Sequence, residues 1–216
     1  MSIAEVFPAL GLRITAGPLE LRGITDDDLA TLGTLAVGGI HEPDRMPFYH
    51  PWTQVDPAEL PLKFAQYHWL SRATWSREKW ELNLGVWRDG VLLGVQGVAT
   101  EDFLVTRTGE TGSWLGRGHQ GQGVGTAMRQ MICAFLFDHL DFEEITSGAF
   151  TDNPASLTVS RNVGYRDNGV RRLKRREGEL ATNLGLVLTP NDLVRGEHQL
   201  EVEGVAPLRR SIGLDS

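Results

Sequence analysis

Cysteine is almost absent from this chain. Cys133 is the only one in 216 residues, so no intrachain disulfide can hold the fold. It sits in the apolar run Met131–Phe137, where a buried structural thiol is expected rather than a nucleophile. No stretch of 18 or more apolar residues occurs and the N-terminus lacks a signal-peptide pattern, so the expectation is a cytoplasmic protein with no membrane partner. A basic surplus is missing too. Lys and Arg number 21 against 28 Asp and Glu, and 21 − 28 = −7, which argues against a dedicated nucleic-acid binder. Repeats and low-complexity tracts are also lacking. His41, Glu42 and His50 do not have zinc-ligand spacing, so no metal is expected.

What is present is an ordinary globular composition, 41% hydrophobic, enough for one domain or one with an extension. Leu12–Thr15 and Leu19–Arg22 alternate like strand pieces around Gly17-Pro18, and Thr25-Asp26-Asp27-Asp28 opens a helix to about Val37. A long connection, Gly38 to Pro57, carries His41, Glu42, Tyr49, His50 and Trp52 and has the length of a binding loop. A helix is predicted from Ala58 to about Trp80. Leu82–Trp87 and Val91–Val98 flank Arg88-Asp89-Gly90 as a hairpin. A strand over Gly112–Gly116 leads into glycines, then into a helix with apolar residues at 124, 127, 128, 131, 132, 135, 136, 139 and 140. Ile145–Phe150 is a strand. Asn153-Pro154 caps a short helix that stops at Gly164. Val170–Leu173 and Asn183–Leu188 are further strands. Residues 195–216 form an extension in which Gln199–Val205 can add a strand, either covering a sheet edge or pairing with another subunit in a homodimer.

The most informative stretch is Trp114-Leu115-Gly116-Arg117-Gly118-His119-Gln120-Gly121-Gln122-Gly123-Val124-Gly125-Thr126. Glycines at 121, 123 and 125 permit positive backbone angles and close approach of a ligand. Consecutive amides at a helix start suit one anion, so the segment reads as a diphosphate cradle. A nucleotide-triphosphate loop needs a lysine after its glycines, and none follows. A dinucleotide loop matches Gly116-x-Gly118-x-x-Gly121. It then puts Gly123 and Gly125 inside the helix, and Asp138 and Asp141 at the helix end rather than after the next strand. The third cradle, Gln/Arg-x-x-Gly-x-Gly/Ala between strand and helix, binds the pyrophosphate of coenzyme A, and Gln120–Gly125 matches it throughout.

With these motifs the chain resembles the Gcn5-related N-acetyltransferase (GNAT) superfamily, and within it the ribosomal-protein N-terminal acetyltransferase branch. Four features carry the resemblance in the family's order: Leu19–Arg22 with Asp26–Leu29, the Trp114-Leu115 strand end, His119–Gly123, and Asn153-Pro154-Ala155-Ser156 ending in Gly164-Tyr165. It covers about residues 12–192, so the acyltransferase domain is taken as 1–194 and the extension as 195–216. The resemblance implies an α/β (α+β) fold whose mixed, mostly antiparallel central sheet is flanked by helices. That sheet splays open between the strand ending at Gly116 and the strand Ile145–Phe150. It implies a pantetheine arm paired with backbone near Trp114, Leu115 and Gly116, and a diphosphate held by Gln120, Gly121, Gln122, Gly123, Val124, Gly125 and Thr126, with His119 beside them. Asn153 would bond the pantetheine amides. Arg161 is the better candidate for the coenzyme's 3′-phosphate, while Arg171, Arg172, Lys174, Arg175 and Arg176 read as a solvated strand edge.

The implied reaction is direct attack of a primary amine, of a protein, a peptide or a small molecule, on acetyl-CoA or another acyl-CoA such as succinyl-CoA. An alternative is a non-catalytic acyl-CoA-binding module. Many members use a tyrosine four residues before the Gly-Phe pair to protonate the thiolate; Ser160 stands there. Ser156, one turn earlier on the same face, is the first candidate for the acid and Ser160 the second. Glu101, Asp102, Glu110, His41 and Glu42 are alternatives for the base, and a water chain is another, because an α-amine with a pKa near 8 is already partly neutral.

Overall fold

Side-chain alternation builds most of the sheet. The computed structural model describes residues 1–215. A short N-terminal helix, α1 (Ile3–Val6), and a 3-10 turn precede β1 (Arg13–Ala16) and β2 (Leu19–Gly23), which bury Ile14, Ala16, Leu19 and Leu21 on one face. In α2 (Asp26–Val37), Thr25 accepts from the Asp28 amide while the Asp28 carboxylate accepts from the Thr25 N–H. This reciprocal cap explains the three aspartates at that helix start.

The next helix is shorter than the pattern suggests. It is α3 (Leu60–Ala73), and Lys79 already begins β3 (Lys79–Arg88). Trp80, expected on the helix, is instead a strand residue buried at 1% exposure, stacked on Trp75 and edge-on to Phe103. The Trp80-x-Leu82-x-Leu84-x-Val86 alternation is a strand signal that the aromatic-rich stretch before it obscures. β3 turns through Asp89 (φ 52°) and Gly90 (φ 79°) into β4 (Val91–Glu101). Two successive positive φ values are what a two-residue hairpin loop between right-twisted strands needs.

A single turn, α4 (Phe103–Thr106), leads to β5 (Thr108–Leu115), and α5 (Val124–His139) and β6 (Glu144–Phe150) follow. α6 (Pro154–Val163) has Asn153 as its cap, with the Asn153 side chain accepting from the Ser156 amide, and Gly164 ends it at φ 105°. β7 (Arg166–Arg176) and β8 (Glu179–Leu188) are longer than expected and form a hairpin at Glu177-Gly178. Last come β9 (Glu201–Glu203) and α7 (Val205–Ser211).

Among the described residues nine strands join one sheet in the order β7-β8-β6-β5-β4-β3-β2-β1-β9, antiparallel everywhere except β5–β6. β9 lies on β1, so the C-terminal strand covers an edge of its own sheet. α5 packs on one face through Met128, Ile132, Phe135 and Leu136. α2 and α3 cover the other through Leu29, Leu32 and Phe64. Among the described residues no helix is long and apolar enough to cross a membrane, and no group of three or more His, Cys, Asp or Glu is placed to hold a metal.

Candidate active site

The two central strands separate. β5 pairs with β6 only at Thr108–Glu110 against Glu144–Thr146. Beyond that, β5 stays on β4 as far as Leu115 and β6 stays on β8 as far as Phe150. Each strand follows its antiparallel neighbour, and a wedge opens between them.

The glycine loop stands directly past the wide end. Gly121 (φ 70°) and Gly123 (φ 80°) take the conformation that favours glycine, and a Cβ at Gly118, Gly121 or Gly123 would meet nothing within 4 Å. The loop is therefore open on its outer side. Ala127 is the first residue of α5 to donate back, to the Gly123 carbonyl. The amides of Val124, Gly125 and Thr126 thus lie ahead of the first intrahelical bond and are available to an anion at the positive end of a 16-residue helix. The glutamine side chains are committed elsewhere. Gln120 donates to the Ile40 and Leu115 carbonyls at 2.6 and 2.8 Å, and Gln122 donates to the Gly118 carbonyl while accepting from Arg88. They brace the loop rather than face outward from it. This donor set fits a diphosphate. Half-buried His119 ends the 3-10 turn that joins Gly116 to the loop, and Gly116 packs on Leu35.

α6 faces the start of α5. Asn153 commits its side-chain oxygen to the cap, and Ser156 beside it is half-buried. Ser160 is enclosed at 1% exposure, so of the two serines only Ser156 is accessible from outside. Arg161 is exposed, with Asp167 at 4.0 Å. The basic run on β7 is not uniformly solvated. Arg175 is buried, lies 4.2 Å from the centre of the Phe150 ring and makes a bidentate pair with Asp152 at 2.9 and 2.7 Å. The short alternation of β7 hid this, because a charged residue gives no sign of its cover.

The carboxylates named from sequence separate clearly. Glu101 ends β4 opposite Lys79, seven residues from Gly94, which pairs with Leu115. At about 3.4 Å per residue that is roughly 24 Å, so Glu101 lies beyond the closed end of the wedge. Asp102 lies there with it. Glu110 is in the last β5–β6 pair, where the wedge begins. Alternation puts Glu110 and Gly112 on the same side as Trp114, which packs against Trp52 and Phe64. A Cβ on Gly112 would meet nothing within 4 Å, so the floor between Glu110 and Trp114 is open. Glu81 is half-buried and takes a 2.7 Å hydrogen bond from Tyr67, whose own phenol is pushed up by burial first and by Glu81 second. His68 is buried on the same helix, and burial lowers it to about 4.

The long loop is tied down. His41 uses both ring nitrogens, on the Glu42 carbonyl at 2.8 Å and on the Thr53 hydroxyl at 2.7 Å. Glu42 pairs with Arg117, and Arg176 at the β7–β8 tip donates to the Asp44 carbonyl.

A buried polar network under the narrow end was not foreseen. Tyr165, just after the helix-ending Gly164, places its hydroxyl 2.8 Å from the Thr111 Oγ1 and 3.4 Å from the Cys133 Sγ. Thr111 donates its own proton to the Thr146 carbonyl, so Tyr165 donates to Thr111 and accepts from Cys133. Burial pushes the Cys133 thiol up to about 11, which suits a structural role. Arg129 reaches the same cluster from α5. In the sequence it falls outside the apolar stripe, yet it lies one turn before Cys133, on the buried side.

Residues 18–166 match the model of the Acetyltransferase (GNAT) domain. The chain belongs to this family. It is 27% identical over 118 residues to the Bacillus subtilis (strain 168) protein YdaF, provisionally named a ribosomal N-acetyltransferase. That alignment spans 53% of this chain and 64% of YdaF, less than two thirds of its length. The GNAT fold is shared with Mycobacterium smegmatis RimJ in complex with a coenzyme A disulfide. The TM-score is 0.68 at 19% identity, over 93% of this chain and 92% of that one. It is also shared with RimL, a ribosomal L7/L12 α-N-protein acetyltransferase in complex with coenzyme A (TM-score 0.66, 16% identity, 81% and 95% of the two chains). Within the GNAT family the chain is thus similar to the ribosomal-protein N-acetyltransferase branch.

Proposed function

We propose that this chain is an acyl-coenzyme A-dependent N-acyltransferase acting on a primary amine of a protein or peptide. The observation that carries this reading is the coincidence of the β5–β6 wedge with the open amide cradle just beyond it. The coenzyme supplies the acyl group as an activated thioester. Residues 121–126 hold its diphosphate through backbone N–H groups, the Gln120 N–H being spent on the Arg117 carbonyl, and beyond Glu110 β5 has no partner strand on its wedge side. Asn153, past the end of β6 at the cap of α6, is the candidate for the pantetheine amides, and Ser156 is the acid candidate for the departing thiolate.

The proton acceptor we favour is Glu110. It is exposed at the narrow end, on the side of the open Gly112 floor, whereas Glu101 and Asp102 lie beyond the closed end. Glu81 and Glu110 make this side acidic, which suits an amine arriving as a cation. A partly neutral α-amine needs little help to lose its proton. Assignment to the cytoplasm and to one domain with a C-terminal extension belongs to the same reading.

Pure protein incubated with acyl-coenzyme A species and a panel of amino-terminal peptides should release free thiol. Gly123→Val should weaken coenzyme A binding by about a hundredfold, since a side chain there would occupy the cradle and strain a positive φ. No turnover with any donor, together with unchanged binding in that variant, would sink the proposal. Binding without turnover would favour the coenzyme-binding module instead, a reading that the enclosed Ser160 in place of a phenol keeps open.

A further inference from the structure

We propose that Arg129 selects the acyl group, favouring donors whose acyl chain ends in a carboxylate, of the size of succinyl. This rests on the acyltransferase reading above. Arg129 is 5% exposed. Its Nε donates to the Gln96 Oε1 at 3.2 Å, Nη1 to the Thr111 Oγ1 at 3.1 Å and to the Ser147 Oγ at 3.2 Å, and Nη2 to the Ser113 Oγ at 2.8 Å. All four acceptors are neutral. No carboxylate lies within 4.0 Å of it among the described residues; every other buried arginine in the fold, Arg175 alone, has one.

An enclosed cation without a counter-charge is costly, and proteins normally pair it. The surrounding groups cannot provide the missing charge. Thr111 spends its proton on the Thr146 carbonyl and Ser147 spends its own on the Thr111 carbonyl, so both can only accept from the guanidinium. The phenol and thiol next to them are both pushed up by burial and stay neutral. Four of five guanidinium N–H donors are used, and one on Nη2 is left for a further acceptor.

The place of the charge gives it meaning. Its partners come from β4, β5 and β6, and Thr111 and Ser147 are the first residues past the last parallel pair, Glu110 with Thr146. The guanidinium therefore lies at the floor of the wedge, at the narrow end. A thioester entering from the cradle side points its acyl chain toward that end. An acetyl methyl would leave the cation unanswered. A terminal carboxylate would answer it with a charge-assisted hydrogen bond, and it would do so on the α5 side of the sheet, away from the amine side at Glu110.

The test needs no acceptor. Titration calorimetry compares coenzyme A, butyryl-coenzyme A and succinyl-coenzyme A, the last two having acyl chains of equal carbon number. Wild type should bind the succinyl thioester at least about thirtyfold more tightly than the butyryl one. In Arg129→Gln and Arg129→Met that ratio should fall to near one while coenzyme A itself binds as before, and Arg129→Lys should keep part of it. Equal wild-type affinities, or a preference that survives in Arg129→Gln, would overturn the assignment while leaving the acyltransferase reading intact. If the Arg129 variants fail to fold, the wild-type ratio alone decides. Absence of coenzyme A binding in wild type would overturn both readings together.

Discussion

Two half-sheets meet at the site, and they are built differently. On one side β9, β1, β2, β3, β4 and β5 are antiparallel, with ten register pairs between β3 and β4 alone. On the other, β6, β8 and β7 form a second antiparallel group. The seam between them has three parallel pairs. Elsewhere backbone ladders hold strands together; at the seam, side chains do much of the work, with Thr111, Ser147, Arg129 and Tyr165 bonding across the parting strands. A ligand that slots between strands needs such a weakly laddered place, and a cohesive core on both sides keeps it from spreading.

The largest effect should come from breaking a half rather than the seam. In Gly94→Val the new Cβ would fall 2.1 Å from the Trp114 carbonyl oxygen, within the β4–β5 ladder. We expect a loss of about 4 kcal/mol in chemical denaturation, because neither backbone can move without unpairing. A much milder loss would mean that β4 and β5 are less tightly coupled than their register implies.

Next in size is chemistry at the seam. Glu110→Gln should lower kcat by about a hundredfold near pH 7, as loss of a general base does, and Glu101→Gln should stay within about twofold. Equal effects would remove the distinction between the closed end and the wedge.

Third comes the side-chain bonding itself. Thr111→Val leaves the Tyr165 hydroxyl and one Arg129 N–H without their acceptor and should cost about 2 kcal/mol. Tyr165→Phe removes a donor and leaves fewer orphans, so about 1 kcal/mol is expected. Thermal and urea denaturation of both variants would rank them, and the reverse order would show that the phenol matters more than its partner.

The smallest effect lies outside the seam. Arg175 holds the Asp152 carboxyl below its usual 3.8. A folded-state pKa that is depressed stabilises the protein above the unfolded value, and that contribution fades as pH falls through the folded one. Asp152 is well exposed, so screening keeps the effect small. Asp152→Asn should cost about 1 kcal/mol at neutral pH, with the gap to wild type closing below pH 3.8. A gap that persists in acid would show that the pair acts through shape rather than charge.

The sequence made the cradle legible because its glycines and helix start are local features. Val124–His139 and the Asn153 cap were legible for the same reason. The Ala58–Trp80 boundary was not, since nothing between Thr74 and Glu78 is a glycine or proline, and the aromatics on both sides suit either a helix face or a strand face. Glu101 and Glu110 look alike in a string of residues. Only the register of β4 on β5 separates them, and register is a long-range property. Arg129 was invisible for another reason. Hydrophobic periodicity finds the residues that avoid water, and it is silent about a charged one that the fold encloses.

The long loop ties the two half-sheets together. Glu42 is held by Arg117, which follows β5, and the Asp44 carbonyl is held by Arg176, at the tip of the β7–β8 hairpin. Two residues apart, these contacts clasp the mouth of the cleft from opposite banks. The Glu42–Arg117 pair is exposed on both sides, and exposed ion pairs weaken as electrolyte screens them. Of the two contacts, the one on the β5 bank should therefore weaken first as electrolyte is added.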